Sequence, residues 1–110
     1  MENYNRVVKD KYGTYYFLNN ELHRIDGPAV IFKDGTKNWY QNGLCHRIDG
    51  PAIEWNSGRK EWYQNGLLHR VDGPAREFTN GDKYWYYEGK FIDCKSQEEF
   101  ERYIKLKLFW

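Results

Sequence analysis

The sequence predicts an all-β fold with one C-terminal helix, an antiparallel meander of about eight strands in a single twisted or curved sheet, made of three full 23-residue repeats plus caps. Three observations carry this expectation. The words Leu22-His23-Arg24-Ile25-Asp26-Gly27-Pro28-Ala29, His46-Arg47-Ile48-Asp49-Gly50-Pro51-Ala52 and Leu68-His69-Arg70-Val71-Asp72-Gly73-Pro74-Ala75 fall at one period. Trp39, Trp62 and Trp85 share it, as do Tyr40, Tyr63 and Tyr86, and the two columns reach back to Tyr16 and Phe17. After Ile92 the period stops, and Ser96-Gln97-Glu98-Glu99 has the form of a capping box that starts a helix.

Taken in order, residues 1–13 read as an N-terminal cap, with Val7-Val8 a strand and Lys11-Tyr12-Gly13 a turn. Terminal repeats depart from consensus because one side of them has no neighbour. Residues 14–92 read as the repeat sheet. An aromatic strand, Thr14 to Leu18, leads through Asn19-Asn20 to the motif, then to a second strand from Ala29 to Phe32 and a turn at Asp34-Gly35. The pattern recurs with Thr36 to Tyr40 and Ala52 to Trp55, then with Arg59 to Tyr63 and Ala75 to Phe78. Asp82 to Tyr87 is a fourth aromatic strand, followed by Glu88-Gly89. Asn-Gly and Asp-Gly supply the positive φ angles of type I′ turns, so neighbouring strands are expected to be antiparallel. The pairs Gly27-Pro28, Gly50-Pro51 and Gly73-Pro74 predict bulges that bend a strand, since proline cannot donate to a ladder. Residues 96–110 predict a helix with Phe100, Tyr103, Ile104 and Leu108 on one face, lying as a lid on an open sheet edge.

At 110 residues the chain fits one domain, and 17 basic against 16 acidic residues leave a net charge of +1. The electrostatic attraction that dominates nucleic-acid binding is therefore mostly missing. Cys45 stands where the other units have Leu22 and Leu68, so it reads as a small hydrophobe, and two cysteines without metal spacing suit a reducing compartment. No apolar run reaches the ~18 residues of a membrane span. With no apolar leader in Met1-Glu2-Asn3-Tyr4, the expected location is the cytoplasm, that of the host if the chain is viral.

The unit length, the Asn-Gly turns and the run Asn80-Gly81-Asp82-Lys83-Tyr84-Trp85-Tyr86 resemble the MORN repeat family, whose units form consecutive hairpins. In place of the family's short His-Gly-x-Gly stretch this chain has His-Arg-x-Asp-Gly-Pro-Ala, similar to the variant repeats of bacterial, phage and large-virus proteins. The resemblance implies a scaffold, a partner-binding module or an antitoxin-like protein, and brings no catalytic residues with it.

In the motif, His23, His46, His69, Asp26, Asp49, Asp72 and the Gly-Pro pairs read as structural, each His pairing with the Asp three residues on or with a turn carbonyl. A shared metal is disfavoured because equivalent side chains recur about every 9–10 Å along a sheet, whereas zinc ligands lie about 2 Å from the ion. Arg24, Arg47 and Arg70 with Asp26, Asp49 and Asp72 read either as a solvated or locally paired charge ladder or, beside Trp39, Trp62 and Trp85 and with Tyr40, Tyr63 and Tyr86 on the other face, as a partner-binding strip with the arginines facing outward. No nucleophile beside a base, no Gly-rich phosphate loop and no isolated carboxylate pair appears, so neither catalysis nor a cofactor is expected. The function read from these features is non-enzymatic protein binding, in the manner of a small inhibitor such as a phage anti-defence protein or an antitoxin. The rival is a small-ligand or nucleotide-binding sponge using the aromatic and Arg columns. A scaffold or membrane-surface module, the latter using Lys105 and Lys107 beside Leu106, Leu108, Phe109 and Trp110, is a further alternative, and a homo-oligomer is compatible with any of them.

Overall fold

Two kinds of tight turn decide the topology. At Asn19-Asn20, Asn42-Gly43, Asn65-Gly66 and Glu88-Gly89 both residues have positive φ, between 48° and 82°, as a type I′ hairpin requires. At the second kind only the glycine is positive: Gly35, Gly58 and Gly81 have φ of 97°, 99° and 97°. There Phe32 N–H donates to the Thr36 carbonyl at 2.9 Å and Gly35 N–H to the Phe32 carbonyl at 3.0 Å, and the pattern recurs at Trp55–Arg59 and Phe78–Asp82. These are hairpins with a glycine bulge, which corrects the expectation of type I′ geometry at Asp34-Gly35.

The computed structural model describes residues 2–108, without the Leu108 side chain. It is mostly β with one C-terminal helix: β1 (Arg6–Lys9), β2 (Gly13–Leu18), β3 (Glu21–Leu22), β4 (Val30–Phe32), β5 (Lys37–Asn38), β6 (Tyr40–Gln41), β7 (Leu44–Cys45), β8 (Ile53–Glu54), β9 (Lys60–Glu61), β10 (Tyr63–Gln64), β11 (Leu67–Leu68), β12 (Arg76–Glu77), β13 (Lys83–Tyr87), β14 (Lys90–Ile92) and α1 (Gln97–Leu108). The main sheet has ten strands in the order β1-β2-β4-β5-β8-β9-β12-β13-β14, with β3 on β2, and is antiparallel throughout; β6-β7 and β10-β11 form separate two-stranded sheets.

The expected single sheet of about eight strands is thus split into more and shorter pieces. The aromatic strand changes partner at the Trp column; the same change at Tyr16, with bonds to Ala29 and His23 of 2.8 and 2.9 Å, leaves β2 unbroken where β1 pairs along its other side. Trp39 N–H donates to the Ala52 carbonyl at 2.7 Å while its own carbonyl accepts from His46 N–H at 3.0 Å; the same pair of bonds, 2.8 and 3.0 Å, links Trp62 to Ala75 and His69. Residues before each Trp pair in the main sheet, and residues after it pair in a local hairpin. Successive hairpins are joined by pairs of backbone bonds: Gly43 N–H to Leu22 O at 2.9 Å with Arg24 N–H to Tyr40 O at 3.1 Å, Gly66 N–H to Cys45 O at 2.8 Å with Arg47 N–H to Tyr63 O at 3.1 Å, and Gly89 N–H to Leu68 O at 2.8 Å with Arg70 N–H to Tyr86 O at 3.4 Å. The motif, from His23 to Ala29, is a loop that leaves the sheet and contains no strand, which corrects the expected bulge.

The molecule is flat, 45 × 32 × 17 Å, with a radius of gyration of 15.5 Å, against about 13 Å for a compact chain of this length. Among the described residues the one cluster of buried apolar side chains is at the C-terminal end, where Phe100 packs on Trp85 and Ile92 with Tyr87, Cys94, Tyr103 and Ile104 around them. The Ser96 cap forms as expected, with Glu99 N–H donating to Ser96 Oγ at 3.2 Å, while the Glu99 carboxylate reaches one residue further back than a capping box requires and accepts from Lys95 N–H at 2.9 Å. Phe100, Tyr103 and Ile104 make the expected stripe, while the Leu108 side chain, Phe109 and Trp110 lie outside the described residues. The helix rests on a face of the β13–β14 hairpin rather than on an edge, and β14 remains the last strand of the order. At the other end Asp10 Oδ1 accepts from Tyr12 and Gly13 N–H at 2.8 and 3.0 Å, which fixes the turn expected there. Among the described residues no helix is long and apolar enough to cross a membrane.

Glu88 holds a left-handed conformation, φ 48°, at a place where the two central units have asparagine. Glu88→Asn is expected to stabilise the protein by about 0.5–1 kcal/mol, because asparagine tolerates this region better. Thermal unfolding should then show a rise of roughly 2–8 °C.

Candidate functional site: the motif-loop face

Each motif loop is folded around its arginine. The Arg47 guanidinium carbon lies 3.9 Å from the centre of the Trp39 ring. Its Nε donates to Asp49 Oδ1 at 3.2 Å, and its Nη1 to the Pro51 carbonyl at 3.0 Å and to Glu54 Oε2 at 3.1 Å. Arg70 repeats this on Trp62 at 3.8 Å, with Asp72 at 2.9 Å, Pro74 O at 3.1 Å and Glu77 at 3.0 Å. Arg24 does so on Tyr16 at 4.0 Å, with Asp26 at 3.0 Å and Pro28 O at 3.3 Å. The motif glycine is explained by the same packing. A Cβ on Gly50 would lie 2.9 Å from Arg47 Cζ, and one on Gly73 2.6 Å from Arg70 Cζ.

Only 19%, 23% and 20% of the Arg24, Arg47 and Arg70 side chains is exposed. The expectation that these arginines face outward is therefore corrected: the ring takes one face of the guanidinium, and the loop takes its N–H groups. Asp49 and Asp72, whose side chains are 89% and 81% exposed, are the outward members of each pair.

The histidines also differ from expectation. His23, His46 and His69 accept at Nδ1, each at 2.9 Å, from the N–H of Asn42, Asn65 and Glu88, the first turn residue of the next unit. An Nδ1 that accepts from an amide leaves Nε2 carrying the proton, so the ring is a neutral staple with an Nε2 donor still to place. In His23, which is fully buried, that nitrogen reaches the Glu2 carbonyl at 2.8 Å. The Asp three residues on is engaged by arginine instead.

Successive loops leave a groove between them. One, of about 510 Å³, has Trp39 as its floor, with Ile25 and Asp26 on one wall and His46, Ile48 and Asp49 on the other. The next, of about 500 Å³, has Trp62 as its floor, between Ile48 and Asp49 on one side and His69, Val71 and Asp72 on the other. Both ends of this row are filled by the chain itself. Before the first loop, Tyr4 packs edge-on against Tyr16 at 4.7 Å and Asn3 Oδ1 accepts from Ile25 N–H at 3.0 Å. The Asn3 side chain, followed by Arg24, holds the Asp26 carboxyl below its usual range. After the third loop, Trp85 Nε1 donates to Gln97 Oε1 at 2.8 Å and Gln97 Nε2 donates to the Val71 carbonyl at 2.9 Å.

The loop tips are apolar and exposed, with Ile25 at 41%, Ile48 at 77% and Val71 at 52%. Sequence reading passed over them as the variable letter of the motif, although a β-branched residue stands there every time. Of the expected strip, Trp39 and Trp62 do line this face, whereas Trp85 lies beneath the helix. Tyr40 and Tyr63 pair with Cys45 and Leu68 on the opposite face, where burial raises their hydroxyl pKa values, and Tyr86 packs there against Phe91.

That opposite face holds a second group with no forewarning in the repeat. The buried Glu61 accepts from Trp55 Nε1 at 2.7 Å and Arg59 Nη2 at 3.2 Å, with Arg76 Nε 2.9 Å away but off the line of a hydrogen bond. The only signal is that the register breaks there, with Asn38 and Tyr84 in the equivalent positions. Burial, with Glu61 adding, pushes the Cys45 thiol up to about 12. An open cleft of about 500 Å³ lies between Tyr12, Tyr15 and Phe32, lined by no residue of the motif loops. Among the described residues no group of three or more His, Cys, Asp or Glu is gathered as metal ligands would be. Comparison with protein-family models, with curated proteins and with solved structures finds no significant match.

Replacing Arg47 and Arg70 together by alanine should lower the melting temperature by roughly 10 °C or more, since each removal gives up a stacked cation and strands a loop carbonyl, about 1–3 kcal/mol apiece. Lysine at both positions should recover little, because an ammonium has no plane to stack and no fork to span the loop. Cys45 should react with iodoacetamide at pH 8 roughly a thousandfold more slowly than an exposed cysteine, because so little thiolate is present. Mass spectrometry of the native protein checks this.

Proposed function

We propose that this chain is a non-catalytic protein-binding module with MORN-like units over residues 14–92, and that it binds through the motif-loop face. The observation that carries the reading is the row of exposed loop tips, Ile25, Ile48 and Val71, flanking two open grooves with tryptophan floors. Exposed aliphatics set in a regular row beside aromatic floors are the surface that a polypeptide partner covers. The arginines are the frame of this surface, and the tips and floors are its contacts. The flat shape supports the reading as well, because a sheet 17 Å thick offers most of its residues to one face or the other.

The tips make few internal contacts, so Ile48→Glu with Val71→Glu should leave the melting temperature within about 2–4 °C, as surface substitutions do. Affinity capture from the source cell with the wild-type chain should retain a defined protein, and the double variant should lose at least about tenfold of it, as expected when two central apolar contacts are replaced by charge. Equal capture by the two proteins would place any interface elsewhere and overturn the reading.

A further inference from the structure

The two ends of the groove row show how this surface recognises a ligand, because the chain fills them with its own side chains. Both end contacts are made by a primary carboxamide: Asn3 is held on its oxygen, and Gln97 on its oxygen and its nitrogen. Asn3 accepts the Ile25 N–H at 3.0 Å through its oxygen. Gln97 accepts the Trp85 indole N–H at 2.8 Å and donates to the Val71 carbonyl at 2.9 Å. A carboxamide matches a site that offers one donor and one acceptor side by side, which neither a carboxylate nor an ammonium does.

The 23-residue period places the equivalents of these groups in each central groove. In the Trp39 groove the indole N–H and the Ile25 carbonyl are the repeat equivalents of the groups that hold Gln97, and Ile48 N–H is the equivalent of the one that holds Asn3. Over Trp62 the corresponding groups are its indole and the Ile48 carbonyl, and Val71 N–H. Among the described residues none of these indole and loop N–H donors has a partner within the chain, and the Nε2 atoms of His46 and His69 add one more free donor to each groove.

We propose that the two central grooves are carboxamide-recognition sites that take Asn or Gln side chains from one extended partner polypeptide. This inference rests on the protein-binding reading and names the chemistry of its partner. Equivalent points in successive units are two strands, about 9–10 Å, apart. A polyproline II segment advances about 9.3 Å in three residues and returns its side chains to the same side. The partner segment therefore carries Gln or Asn at positions i and i+3, one for each groove, with the β-branched tips packing on the residues between.

The test is titration of the ¹⁵N-labelled full chain with the acetylated, amidated peptide Pro-Gln-Pro-Pro-Gln-Pro, following the indole N–H signals. The Trp39 and Trp62 signals should shift saturably and the Trp85 signal should stay in place, because Gln97 already occupies it. The peptide with Glu for both Gln should bind at least about tenfold more weakly, having no N–H to offer the loop carbonyl. Gln97→Ala should free the last site and make the Trp85 indole respond to the Gln peptide. No shift, an equal response to the Glu peptide, or movement of the wild-type Trp85 signal with the others would overturn the proposal. The two readings also separate. Capture of a protein that depends on Ile48 and Val71, with indoles indifferent to the Gln peptide, sinks the carboxamide proposal and leaves protein binding standing; responsive indoles with no captured protein do the reverse.

Discussion

The stacking of a motif arginine on an aromatic ring of the same unit is the interaction on which the rest of this structure depends. A seven-residue excursion from His46 to Ala52 would otherwise be a loop with open carbonyls and no side chain to pack. Arg47 supplies both deficits, since its plane covers Trp39 and its fork reaches Asp49, Pro51 and Glu54. Every other feature of the motif serves that placement. Gly50 leaves room for the guanidinium, Pro51 turns its carbonyl toward it, and Ala52 is fully buried where the loop rejoins the sheet. Lysine in this role would leave the carbonyl and the ring competing for one ammonium.

A protein built this way has no need of a thick core. Its buried apolar residues away from the C-terminal end are Ala29, Val30, Ala52 and Ala75, which together cover little area. The stability is instead spread over contacts repeated from unit to unit: the stacked arginine, the histidine that accepts the next turn's N–H, and the backbone bonds at each Trp. Each is worth about 1 kcal/mol or a little more, and each links a unit to itself or to its nearest neighbour, as in other quasi-linear folds. The ends, which lack one neighbour, need something extra. The N-terminal strand and its preceding segment supply it on one side, and the Phe100 cluster under α1 on the other.

Much of this fold was legible in the sequence, and the parts that were not share a cause. Periodicity and turn chemistry are local, so the antiparallel pairing, the Asn-Gly hairpins and the Ser96–Glu99 helix start could be read from a few residues each. The change of partner within each aromatic strand at Trp39 and Trp62 could not, because it depends on which backbone groups Ala52 and His46 claim, a contact across the sheet. The roles of Arg and His were misread for the same reason. The short-range pairing of arginine with Asp does form, but the arginine also looks back to a ring eight residues earlier instead of facing outward, and the histidine, expected to pair with that Asp or a turn carbonyl, reaches forward to a turn nineteen residues later. Glu61 with Arg59 and Arg76 is a pure departure from the repeat, and only a column that breaks register could have marked it.

Capping and recognition prove to be one problem in this architecture. A stacked row of loops must stop somewhere, and the last groove on each side would leave an indole or a loop amide unfilled beside an apolar floor. Asn3 and Gln97 close those ends with carboxamides, Asn3 accepting from a loop amide and Gln97 satisfying a donor and an acceptor together. The interior grooves present the same groups without that closure. Filling them from within would need a residue of the neighbouring unit in each, and Gln41 and Gln64, which line the two grooves, do not take that place: no bond joins either side chain to Trp39 or Trp62 among the described residues. A repeat that caps its ends with carboxamides while leaving the equivalent groups open along its length is arranged to receive that side chain from outside.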